Sequence, residues 1–153
     1  MRMRGDGEHP VSGGAVVAGA LVGLAVIVPV SVLLAVVDNQ VTDFEDSGWF
    51  VAFTLLLLLA YFLAGFRAGT LVPSAPLTNG MLAALCSVAV WIPIRIVVWV
   101  VRDGDRGLFS GDDPVLRLGQ LFGTAVFAIA LGAIGGLAGS RRAAATHTPD
   151  PTD

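Results

Sequence analysis

The sequence predicts an all-α integral membrane protein, a bundle of four spanning helices. Three observations predict it. Of 153 residues 55% are apolar and only 14% charged, against about 25% charged in an ordinary soluble domain, and the mean hydropathy is +0.79. The apolar residues gather into four runs close to the ~20 residues a helix needs to cross a hydrocarbon core ~30 Å thick. These runs are apolar on every face, whereas a barrel strand would alternate.

The first run, 15–37, carries no charge. Arg2 and Arg4 ahead of it look like the start of a secretory signal. The run is longer than a typical signal core and no A-x-A cleavage site follows, so it reads as an uncleaved first span. An acidic connector, Asp38 to Gly48, leads to the second run, 49–66. The next connector, Arg67 to Gly80, holds Pro73, Pro76 and the turn pair Asn79-Gly80. The third run, 81–101, is the one span interrupted by a charge, Arg95. A connector rich in aspartate, Arg102 to Arg117, precedes the fourth run, 118–139. Residues 1–14 and 140–153 read as flexible tails around a transmembrane domain at 15–139.

Arginine placement sets the expected orientation. Arg2, Arg4, Arg67, Arg141 and Arg142 fall on one side, and Arg102, Arg106 and Arg117 on the other. The positive-inside rule then puts both termini in the cytoplasm. All nine basic residues are arginine, and with abundant Ala, Gly and Val this fits high-GC bacterial coding. The expected location is a bacterial cytoplasmic membrane.

The two halves of the chain also align. An offset of 64 places Pro29 on Pro93, and an offset of 70 places the segment 64–69 on 134–139. Two tandem helical hairpins related by an axis along the membrane normal would give this pattern. Chance recurrence of Gly, Ala and Pro in such a chain explains it slightly better.

Small residues recur at the spacing that brings helix backbones together. Gly19 and Gly23, Gly65 and Gly69, Gly119 and Gly123, Gly132 and Gly136, and Gly135 and Gly139 each lie four apart. Helices in lipid have no hydrophobic drive to associate, so close approach and dispersion must hold them. Packing within the bundle is the favoured role; an interface with a second copy or another membrane protein is the sharper alternative.

Arg95 is the candidate ligand or ion-pair residue. Its cost at the bilayer centre is about 2.5–3.5 kcal/mol on insertion scales. It lies near enough to the outer end of its span to snorkel. Trp91 and Trp99, at i−4 and i+4, share its face and offer cation–π partners, and Asp38 at the outer end of the first span is a counter-ion candidate. A structural arginine that fixes helix packing is the favoured reading over an anion site.

Other chemistry finds little to work with. His9 and His147 lie in the tails, Cys86 is the only cysteine, and no P-loop, dinucleotide or serine-elbow motif occurs. The loop at Asp103 fails the calcium-loop pattern, with Gly107 at its fifth position and Pro114 at its twelfth. No cofactor, metal or catalytic residue is assigned, and a net charge of −3 without a basic run offers nucleic acid no footing.

The segment 64–69, Ala-Gly-Phe-Arg-Ala-Gly, followed by Asn79-Gly80 at the start of the third span, resembles small prokaryotic four-helix membrane proteins of unknown function. That resemblance implies a short four-spanning chain and carries over no site residues. Small proton-coupled multidrug transporters are similar in size and helix count, but they carry a glutamate in the first helix that 15–37 lacks. The expected function is a non-enzymatic structural or accessory role through helix–helix association. A small transporter or channel using Arg95 is the alternative, and an enzyme acting on lipid headgroups ranks last.

Overall fold

Ser12 starts the first helix. Its carbonyl accepts the first helical bond from Val16 N at 3.0 Å, and its hydroxyl lies 3.4 Å from Ala15 N, the position an N-cap serine serves. The computed structural model describes residues 11–38, 48–102, 107–109 and 116–146. They form four helices, α1 (Gly13–Asp38), α2 (Gly48–Leu71), α3 (Pro76–Arg102) and α4 (Leu118–Thr146). Each is long and apolar enough to cross a bilayer, so the chain is a multi-pass membrane protein built entirely of helices among its described residues. The acidic segment 39–47, most of 103–115 and both chain ends, with His9 and His147, lie outside the described residues.

Three helices run past the ends expected from hydropathy. α2 continues beyond residue 66 to Leu71, because Ala68 and Gly69 are buried rather than looped out, and Pro73 then stops it. α3 opens with Pro76 in its first turn, where the missing N–H costs nothing. The pair Asn79-Gly80 is therefore helical and not a turn. The same residue types that favour turns are tolerated in a first turn when tertiary contacts hold them. α4 carries on through Arg141 and Arg142 to Thr146, since Ala143, Ala144 and Ala145 are strong helix formers, so residues 140–146 are helix where a tail was expected.

α2 packs most extensively on α4, and α3 joins both; α1 lies on α2 and α3 and barely meets α4. The helices therefore stand as α1–α2–α4–α3 around the bundle, with α2 and α3 also meeting across it. An axis along the membrane normal, the repeat that chance recurrence already outweighed, does not describe this arrangement. Such an axis would turn the α2–α3 packing into an equally extensive α4–α1 packing, whereas α1 barely meets α4. The α3–α4 hairpin instead lies alongside α1–α2. The core is small-residue rich: Ala60, Ala64, Ala68, Ala83, Ala84 and Ala128 are fully buried, with Ile27 the largest apolar side chain enclosed.

Candidate functional site

The bundle is closely packed at one end, and at the other α1 still packs on α2 while a cleft lies between α1 and α3. The closely packed end holds the chain's beginning and the end of α4. Here a β-carbon on Gly65 would overlap the carbonyl of Gly132, one on Gly69 the carbonyl of Gly136, and one on Gly139 the carbonyl of Phe66. α3 joins the same contact, since a β-carbon on Gly132 would stand 2.5 Å from the Gly80 carbonyl oxygen. α1 docks through Gly19, where a β-carbon would come 2.5 Å from Ala64 O, and through Gly23, 2.6 Å from Ser87 Oγ. All seven glycines expected to pack helices, Gly19, Gly23, Gly65, Gly69, Gly132, Gly136 and Gly139, thus face another helix of the same chain. Gly119 and Gly123 have nothing within 4 Å of where a β-carbon would go.

Two polar residues fasten this end. Ser87 Oγ, fully buried, lies 3.0 Å from Ala83 O and 3.3 Å from Ala20 O, so its single proton is shared between its own helix and α1. Asn79, also fully buried, accepts from Ser12 N at 3.0 Å and donates Nδ2 to Ala75 O at 3.0 Å. In a capping box the residue three after the N-cap reaches back to the N-cap amide. That residue here is Ala15, which has nothing to reach with, and Asn79 of α3 supplies the bond from another helix. Composition alone held no sign of this partner.

Toward the other end α1 and α3 part, and a cleft of about 140 Å³ opens between them. Val28, Ser31, Val32 and Val36 form one wall, and Trp91, Ile94, Arg95 and Val98 the other. Trp91 Nε1 donates to Ser31 Oγ at 3.1 Å and ties the floor of the cleft together. Val32 and Val36 are exposed, so the cleft opens sideways to the surroundings of the bundle. Arg95 is half-buried in its wall. It makes no ion pair or ring contact among the described residues.

Of the four residues singled out around this arginine, the structure brings Trp91 and Arg95 into one cleft. Trp99 is half-buried one turn further along and is not among the cleft's walls. Asp38 closes α1, but its side chain lies outside the described residues. Ser31, which no motif marks in the sequence, joins the site through its bond to Trp91. A smaller cavity of about 30 Å³, between α3 and α4, has Trp91 as a wall too, together with Arg117, Gln120 and Thr124. Among the described residues no three of His, Cys, Asp and Glu come together to hold a metal.

The chain matches no known protein family, no curated protein and no solved structure.

Proposed function

We propose that this is a non-enzymatic accessory protein of a bacterial cytoplasmic membrane, both termini in the cytoplasm, that acts by lateral association with a second copy or another membrane protein. The observation that supports it is how the glycine spacings are used. Four of the five lie inside the bundle, at backbone contacts that leave little slack for the alternating rearrangement of a transporter. The fifth, Gly119 and Gly123, faces away from the bundle beside the exposed Leu118 and Phe122. Gly119 is exposed and Gly123 half-buried, and a pair at this spacing with open space over both forgoes dispersion with neighbours unless another helix comes close.

Disulfide crosslinking of Gly119→Cys and Gly123→Cys in a Cys86→Ser background, in native membranes, tests it together with affinity purification in mild detergent. A crosslinked dimer or a stoichiometric co-purifying membrane protein is the expected result. Neither self-association nor a partner would remove the reading.

A second reading, a small transporter or channel, draws support from the cationic cleft at Arg95. It requires flux in proteoliposomes that Arg95→Ala abolishes. Background-level flux with both forms, over a broad panel of ions and small anions, sinks it.

A further inference from the structure

A cleft that parts two helices in a membrane does not stay empty, because lipid chains press against every lateral opening. This one has about 140 Å³, close to the ~150 Å³ of apolar cavities that stay dry and take up apolar guests. Its walls are mostly valine and isoleucine, so water entering it would find few partners.

The polar groups that do face it are donors. Arg95 has five N–H donors and no acceptor. Ser31 Oγ already accepts from Trp91 Nε1, and its own O–H remains to be given. No carboxylate is among the described lining residues. A fixed cation in low dielectric needs a counter-charge, and a guanidinium matches the paired oxygens of a phosphate. Arg95 is seven residues from the end of α3 at Arg102, about 10 Å along the axis. That depth is within a snorkelling arginine's reach of headgroup phosphate.

We propose that the α1–α3 cleft binds one anionic phospholipid from the leaflet opposite the termini, its phosphate on Arg95 and Ser31 and an acyl chain along Val28, Val32 and Ile94. The lateral opening admits a lipid already in the leaflet. The apolar walls take the chain, and the arginine selects a net negative headgroup over a zwitterionic one, whose own cation would compete for the phosphate.

Trp91 provides the readout, since it lines the cleft. In full-length protein with Trp49→Phe and Trp99→Phe, reconstituted in phosphatidylcholine vesicles, brominated-chain phosphatidylglycerol should quench Trp91 at about tenfold lower mole fraction than brominated-chain phosphatidylcholine. Arg95→Gln should lose that preference, as removal of a charge-assisted contact weakens binding about ten- to hundredfold. Val32→Phe, at a position 59% exposed and outside the core, should fill the cleft and reduce quenching by both lipids while Arg95 stays in place. This second variant keeps the test decisive if Arg95→Gln fails to fold. Millimolar inorganic phosphate should leave the quenching unchanged. Asp38→Asn should keep the preference.

Equal quenching by the two lipids in the unsubstituted cleft overturns the proposal. So does a preference that survives both Arg95→Gln and Val32→Phe. Reversal of quenching by inorganic phosphate would show a soluble-anion site instead, and a preference that appears only in Asp38→Asn would show that Arg95 is paired to that carboxylate.

Discussion

The carbonyl oxygen of Gly132 occupies the space into which a β-carbon on Gly65 would project. Alanine normally stabilises a helix interior by about 1 kcal/mol over glycine. At this contact that gain is outweighed, because the obstacle is backbone and cannot rotate away. Gly65→Ala and Gly132→Ala should each destabilise the bundle by ~1–3 kcal/mol, the usual cost of overpacking. Gly119→Ala, with open space around it, should be neutral or stabilising in the isolated protein. Reversible unfolding in mixed micelles measures both signs, and a neutral Gly132→Ala would contradict the packing described.

Asn79 is tested by the helix it does not belong to. Asn79→Ala leaves the Ser12 amide without its partner, and loss of a cap interaction costs about 0.5–2 kcal/mol. Hydrogen exchange should accelerate in the first turn of α1, 67 residues from the substitution, with the outer half of α3 unchanged. Acceleration confined to the start of α3 would show that the bond to Ser12 carries no weight.

The indole of Trp91 depends on Ser31 for its acceptor. Ser31→Ala should cost about 0.5–1.5 kcal/mol and shift Trp91 emission as the N–H loses its partner. Ser31→Thr keeps the hydroxyl and should preserve the spectrum. Identical spectra for the alanine and threonine forms would mean that the bond is not made in the membrane.

Arg142 lies with its guanidinium 6.0 Å from the centre of the Phe66 ring. The arginine is exposed and the ring half-buried, so Arg142→Ala should cost no more than about 0.5–1 kcal/mol. Its larger effect should be on topology, as Arg142 belongs to the positive set at the termini's end. Impermeant thiol labelling of Thr146→Cys and of Phe109→Cys, in whole cells lacking Cys86, reports the side of each. Labelling of Phe109→Cys alone is expected; labelling of Thr146→Cys alone would invert the assigned orientation.

The fold was legible in the sequence because lipid imposes length and apolarity on each span, and 15–37, 49–66, 81–101 and 118–139 carry both. The span ends were less so. Hydropathy falls at Arg67, at Asn79 and at Arg141, yet each belongs to a helix that runs on because its neighbours are buried or strongly helical. Spacing identified which glycines approach another helix but not which helix. It treated Gly119 and Gly123 like the rest, since a four-residue interval says nothing about what stands opposite. At the cleft, Arg95 and Trp91 were visible as unusual residues on one helical face. Ser31 was not, because its role arises only where α1 crosses α3, and Gly80 as a contact of Gly132 was hidden by its reading as a turn.

The bond from Ser12 to Asn79 also bears on the order in which the molecule is made. The donor is synthesised 67 residues before its acceptor, a delay of about 3–13 s at ~5–20 residues per second. During that interval the first helix is already in the translocation machinery or the bilayer with an unfinished beginning. Its final seating must wait for the third helix to arrive, so the chain's first element is among the last to be locked in place.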